Sequence, residues 1–463
     1  MEKIVHLDFK GAPLKVSYLE KLFHSIKEWG GTGLLIEWED TFPFTADLEC
    51  VGSLNNSGGD GMYSHEEVKD IMLCAKANGL EVIQLIQTIA HMEYVLKHPK
   101  YCHLKESLPS PAVLCPTKPD SLQLVCNMID NILNAQPEAK YIHIGADEVW
   151  HTAVCHSCQQ KAATHKYKVA SLFLDHIQAV ILYVKQRRPN ITILMWDDML
   201  RPMTVETLQA YNLRDLVQPV IWNYSSVEHF QIDRTLWEKY DNLFSNVWVG
   251  SAFKGANGSS QMLSRVARYV SNQEAWQREI SKRPTGIHFN GVILTGWSRY
   301  DHYATLCELL PVALPSLFSC LRIWTQPMDT NASETAREVL PEEEWPGIEV
   351  ARCIHSFVML RERSYSLLHG DLVATWLNPW QIKMSYTSPV QVESVANASK
   401  TILTDLKGLY AETKKQLEQI TGKRSTEEWI VAFFDTILKN IEELNRVASL
   451  RRQVAASVGP SYS

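Results

Sequence analysis

The stretch from Tyr141 to Trp150 reads YIHIGADEVW. Its first half is apolar and aromatic in the manner of a strand, and it ends on two adjacent acids, Asp147 and Glu148. With a period of two, His143, Gly145 and Asp147 share one face, so a strand over 141–148 carries Asp147 to its end with Glu148 leaving beside it. Adjacent carboxylates repel, and partial burial makes the second ionisation harder. Such a pair is either a solvated strand end or a device for acid–base chemistry.

Outward from this stretch, seven more apolar runs of strand length lie at 4–9, 33–38, 81–87, 191–198, 217–224, 246–253 and 291–298, each followed by a helical pattern. Leu19, Leu22, Phe23, Ile26 and Trp29 recur at helical spacing, and Ser64-x-x-Glu67 is a capping-box signal ahead of Val68, Ile71, Met72 and Ala75. Strands alternating with helices predict a parallel sheet. Eight such units predict an α/β protein with a (β/α)8 TIM barrel rather than an open doubly wound sheet. No glycine-rich phosphate fingerprint follows the first strand, which also counts against a dinucleotide fold.

The texture changes near residue 330. A stretch rich in Glu, Pro and Asn reads as a linker over 330–347, dividing a barrel domain (1–329) from a C-terminal helical domain (348–463) with long helical patterns at 348–369, 389–421 and 426–457. In the last, Trp429, Phe433, Ile437, Ile441, Leu444 and Ala448 form one apolar stripe. That stripe needs a partner surface, either the barrel or a second subunit, so a homodimer through these helices is an expectation.

With 463 residues, 45% of them hydrophobic and 21% charged, the chain has the composition of a globular protein. A net charge of -7 without long basic runs argues against nucleic acid and anionic membrane surfaces as main partners. Neither a signal peptide nor an apolar run of spanning length is visible, so a cytoplasmic and also nuclear location is expected. The ten cysteines are scattered and read as free thiols. Cys155-x-x-Cys158, with His151 and His156 nearby, has the form of a redox dithiol or half a zinc site, but no second CxxC completes it, and neither a metal nor a cofactor is expected.

In a TIM barrel the loops at the C-terminal strand ends make the site. The residues falling there are acidic and aromatic: Asp8 on the first strand, His91 after the third, Asp147 and Glu148 on the fourth, Trp196 and Asp198 on the fifth, Trp222 and Tyr224 on the sixth, Trp297 on the eighth. Aromatic faces stack on sugar rings, and carboxylates bind hydroxyls and supply the acid and base for a glycosidic bond. A small carbohydrate or glycoconjugate is the substrate class this composition points to. Of Asp197 and Asp198 one faces the site, with Asp198 preferred, and Asp8 either accepts a hydroxyl or pairs with Lys10.

His143-x-Gly145-x-Asp147-Glu148 resembles the His-x-Gly-x-Asp-Glu signature of glycoside hydrolase family 20, the β-N-acetylhexosaminidases, and the layout as a whole resembles the hexosaminidase D type of that family. The resemblance covers residues 1 to about 321. It implies exo-hydrolysis of terminal N-acetylgalactosaminides or N-acetylglucosaminides with retention, the 2-acetamido oxygen attacking C1 to form an oxazolinium. Asp147 would then hold the acetamido N–H, and Glu148 would protonate the leaving oxygen and later deprotonate water. By the same resemblance His91 contacts the sugar or the acid pair. The chain departs from the family in having no arginine in HLDFKGAP and in reading Trp297-Ser-Arg-Tyr300 where Trp-x-Glu is common, which leaves recognition of O3 and O4 open. Two alternatives stand beside this reading: a two-carboxylate barrel glycosidase using Glu148 with Asp198, and a catalytically silent sugar-binding barrel.

Overall fold

The computed structural model describes residues 1–52, 61–282, 286–326 and 344–457. Eight parallel strands close into a barrel: Glu2–Asp8, Gly33–Glu37, Glu81–Leu85, Tyr141–His143, Thr192–Trp196, Gln218–Trp222, Asn246–Lys254 and His288–Gly296. Each pairs with its neighbour in sequence, and the first closes on the last with Glu2 opposite Gly291 and Val5 opposite Leu294. The expected (β/α)8 barrel is therefore the fold. Most strand residues are buried on both faces, which is why the runs read as continuous apolar stretches rather than strict alternations. Ile4, Leu35, Ile83, Leu194, Val220 and Ile293 pack with Trp196 and Trp248 inside the barrel.

Helices follow the strands as the periodicity predicted. Val16–Glu28 buries Leu19, Leu22, Phe23 and Ile26. His65–Ala77 starts at a complete capping box, in which Glu67 N–H donates to Ser64 Oγ at 3.2 Å and Ser64 N–H to the Glu67 carboxylate at 2.8 Å. Among the described residues no single helix is long and apolar enough to cross a membrane.

Two details correct the sequence reading. The fourth strand stops at His143 rather than 148, because Gly145, Ala146 and Glu148 all take positive φ (64°, 70° and 51°) and an extended ladder cannot continue through left-handed residues. A hairpin of Lys105–Ser107 and Ser110–Leu114 follows the third strand; its prolines at 109 and 111 and its charged first strand hid it. The expected linker lies outside the described residues except for 344–347.

The chain divides into two compact units, Met1–Pro346 and Gly347–Ser463. The second is helical, with long helices at Ile348–Leu368, Pro389–Ile420 and Thr436–Ser457. Its apolar stripe is shifted by one residue near the start: a π-helical turn over Ile430–Asp435 inserts an extra residue, so Phe434 rather than Phe433 is fully buried after Trp429. Ile437, Ile441 and Ala448 then continue the buried face.

Candidate active site

The irregular backbone after the fourth strand explains its own motif. His143 is fully buried, and its Nδ1 accepts the N–H of Gly145 at 3.0 Å, closing the turn. Burial pushes its imidazole down to about 3, so the ring is neutral and able to accept. Gly145 has φ 64°, and a β-carbon there would overlap the amide of Gln87. Gln87 itself donates from Nε2 to Asp147 Oδ1 at 3.2 Å. The histidine and glycine of the motif thus build the turn, and the turn delivers the two acids.

Asp147 and Glu148 both line one cavity of about 370 Å³ at the C-terminal mouth of the barrel. His91, itself at φ 51°, bridges them: its Nε2 lies 3.3 Å from Asp147 Oδ2 and 3.5 Å from Glu148 Oε2. Burial alone lowers a histidine, but here the Asp147 charge and hydrogen bonds to both acids outweigh it and hold the imidazole well above its ordinary value. His91 is a cation beside the acid pair at neutral pH.

Trp196, Trp222, Tyr224 and Trp297 line the same cavity. Trp222 and Tyr224 stack with centroids 5.1 Å apart at 24°, and Trp196 and Trp297 stand 6.1 Å apart, tilted by 50°. Burial holds the Tyr224 hydroxyl far above the usual phenol range, which keeps it an O–H donor.

Two expected ligand-binding acids stand elsewhere. Asp198 is not on the cavity wall; it lies behind the acid pair, its Oδ2 accepting Glu148 N–H at 2.9 Å and its Oδ1 accepting the Trp222 indole at 3.2 Å. Burial first, and then the Asp147 charge, push its carboxyl up to about 7. Asp197 turns away to Arg201 and Tyr240. Asp8 is also off the wall, because Lys10 Nζ at 3.3 Å and Ser298 N–H at 2.8 Å take up its carboxylate. Of the two options open for Asp8, pairing with Lys10 is the one realised.

Lys10, Glu37 and Gln87 line the cavity but were not singled out from the sequence. Glu37 accepts from the His6 ring at 3.1 Å, while its other oxygen has no hydrogen-bond partner and lies 3.9 Å from Lys10 Nζ. Burial opposes charge on both, yet Lys10 is raised by Asp8 and Glu37, and Glu37 is lowered by Lys10, so both are ionised. Glu37 Oε1, Gln87 Oε1 and the Trp196 indole N–H are buried without partners among the described residues. Buried unpaired polar atoms are rare, and their gathering on one cavity marks a place for a polar ligand. The available signal was a buried polar residue at or inside an apolar strand run. Arg299 is occupied by backbone carbonyls of Lys10 and Ala304 at 2.9 and 2.8 Å.

The cavity has the acids, the aromatic walls and the unfilled polar atoms that sugar chemistry needs, and comparison with known proteins agrees. The model of glycosyl hydrolase family 20, catalytic domain, matches residues 37–298. The chain belongs to this family, and it is a glycoside hydrolase. A human protein called hexosaminidase D is 35% identical over 96% of this chain and 93% of its own length. Its namesake from Bos taurus is 41% identical over 69% of this chain and 91% of its own. A β-N-acetylhexosaminidase of known structure from Bacteroides fragilis superposes with a TM-score of 0.53 at 18% identity, over 72% of this chain and 68% of that one, which bears on the fold. The resemblance drawn from the motif is borne out.

Proposed function

We propose that the chain is an exo-β-N-acetylhexosaminidase that removes a single terminal N-acetylgalactosamine or N-acetylglucosamine by substrate assistance. The observation that carries the reading is the bridging of Asp147 and Glu148 by a cationic His91 at a cavity of about 370 Å³, near the lower end of the roughly 300–1,000 Å³ usual for ligand pockets. A pocket of that size takes one sugar ring rather than a chain. Asp147, fixed by Gln87 and His91, accepts the acetamido N–H and stabilises the positive oxazolinium, while the acetamido oxygen attacks C1. Glu148 gives its proton to the departing oxygen and then takes one from the attacking water. Trp196, Trp222, Tyr224 and Trp297 wall the sugar, and the Tyr224 hydroxyl is a donor for the acetamido group.

Lys10 and Glu37 support a role in hydroxyl recognition at the ends of the first two strands, the HLDFKGAP stretch itself having no arginine: the ammonium donates and the free Glu37 oxygen accepts. Asp198 as a second catalytic carboxylate is disfavoured by its place behind the wall, with both oxygens engaged. A panel of aryl glycosides tests the function. Cleavage of 2-acetamido substrates with near silence on the 2-hydroxy counterparts is expected, and equal rates on both would overturn substrate assistance.

The same proposal extends to setting. Ten cysteines without a disulfide among them support a reducing, cytoplasmic or nuclear compartment. Self-association through the helical unit is supported by Trp380, Met384, Tyr386 and Val390, all more than half exposed within one short segment. Light scattering of the full chain and of a Trp380→Lys, Tyr386→Lys variant tests it; a monomeric parent overturns it.

A further inference from the structure

The loop that carries Asp147 and Glu148 runs on into Cys155-x-x-Cys158, and the fold brings a third thiol and a carboxylate to that pair. Cys115, just past the second hairpin strand, has its Sγ 3.5 Å from Cys155 Sγ and 3.6 Å from Cys158 Sγ. Glu106, on the first hairpin strand, has Oε2 3.2 Å from Cys158 Sγ. One ligand atom from each of the four lies within 4.8 Å of every other. Glu106, Cys115 and Cys158 are buried.

These spacings are far too long for a disulfide, whose sulfurs stand about 2.05 Å apart. They are close to the edges of a tetrahedron around zinc, which for bonds of about 2.3 Å to sulfur and about 2.1 Å to oxygen measure roughly 3.6–3.8 Å. The surrounding groups are arranged as they are around bound thiolates. Glu106 Oε1 accepts the N–H groups of Val154 and Cys155 at 2.7 and 3.0 Å, which leaves Oε2 aimed at the cluster. Cys155 Sγ accepts Cys158 N–H at 3.4 Å, and Thr117 Oγ1 lies 3.3 Å from both Cys115 Sγ and Cys158 Sγ. A redox dithiol needs two sulfurs; here a third sulfur and a carboxylate oxygen stand at the same spacing and make a four-ligand set.

We propose that Glu106, Cys115, Cys155 and Cys158 form a structural Zn2+ site that ties the 105–114 hairpin to the loop leaving Glu148. Four protein ligands close the coordination shell, so the ion has no open position for water or substrate and its task is mechanical. Binding releases the thiol protons as the thiolates engage the metal. The half-site that Cys155-x-x-Cys158 suggested is completed from the hairpin that the sequence reading missed, against the expectation of no metal.

Full-length chain purified under thiol reductant without chelator is expected to carry about one zinc by elemental analysis. Stripped protein is expected to take up Co2+ with the intense thiolate-to-cobalt charge-transfer absorption of a sulfur-rich tetrahedral site, and to regain with Zn2+ the thermal stability lost on stripping. Cys115→Ser and Glu106→Ala are expected to lower zinc content or affinity. Because Cys115→Ser also alters buried packing, Co2+ uptake by the wild type decides independently. Three results overturn the proposal: no uptake of Zn2+ or Co2+ by the reduced wild type, full zinc content in the folded Cys115→Ser variant, or a disulfide among Cys115, Cys155 and Cys158 in protein alkylated at lysis.

Discussion

Gly145 lies so close to Gln87 that a β-carbon would overlap the amide oxygen of that side chain, whose nitrogen holds Asp147 at 3.2 Å. The glycine of the motif therefore acts on the acid two residues later through a neighbour just past the third strand. Gly145→Ala adds strain at φ 64°, about 1–2 kcal/mol, and pushes Gln87 off Asp147. The folded variant is expected to lose tenfold or more in kcat with a small fall in Tm, read by steady-state kinetics beside thermal melts. Unchanged kcat would mean that Gln87 does not orient Asp147.

Glu148 is expected to matter in proportion to how badly the leaving group needs a proton. Glu148→Gln should lose about 10²–10⁴-fold on alkyl or sugar aglycones, the usual worth of general acid catalysis, and much less in the first step with activated aryl leaving groups. Equal loss on both classes would remove Glu148 from the acid role.

What was legible in the sequence follows from what repeats. The eight strands are apolar runs, and their alternation with helices fixed the barrel before any contact was known. The rim residues Trp196, Trp222, Tyr224 and Trp297 were found because a strand end is a place the pattern defines. Whether a rim side chain faces the cavity depends on local backbone and on neighbours distant in sequence, so Asp198 reads as a substrate ligand although Trp222 and the Glu148 N–H engage it, while Asp8 leaves two options open and takes the pairing with Lys10. Gln87 was passed over because it lies two residues past the third strand as a lone buried amide among apolar neighbours, which carries no periodic mark. The π-turn at Ile430–Asp435 shows the same limit: a stripe at spacings of four reads through an inserted residue as if it were absent.

Asp198 gives the site a pH dependence whose sign is set by its raised carboxyl. Its pKa rises from 3.8 to about 7 on folding, so between these values the folded chain holds the proton that the unfolded chain releases, and this contribution to stability falls as pH rises. Asp198→Asn removes that titration. The variant also leaves one of the two N–H donors, Glu148 N or Trp222 Nε1, facing an amide NH₂, a penalty of about 1–3 kcal/mol. The excess Tm of wild type over variant is therefore expected to shrink from about pH 4 to about pH 7 and to level off above it, measured by melts across that range. A constant difference would place the Asp198 titration outside it.

Asp147 separates substrate assistance from ordinary two-carboxylate hydrolysis, and its surroundings sharpen the test. One oxygen accepts from Gln87 and the other faces the His91 cation, so every neighbour expects an acceptor. Asp147→Asn must turn an NH₂ group toward one of these donors, and it removes the negative charge that balances both His91 and the oxazolinium. Activity on 2-acetamido sugars is expected to fall by about 10²–10³-fold, the scale of losing one preorganised transition-state contact. A thiazoline mimic of the cyclised intermediate should bind the wild type tightly and the variant poorly, while a simple product sugar should lose less affinity, because the mimic alone carries the developing charge. If instead a covalent glycosyl-enzyme can be trapped on Asp147 and 2-hydroxy glycosides are cleaved as fast as 2-acetamido ones, the carboxylate is a nucleophile, and the chain shares the family's fold without its chemistry.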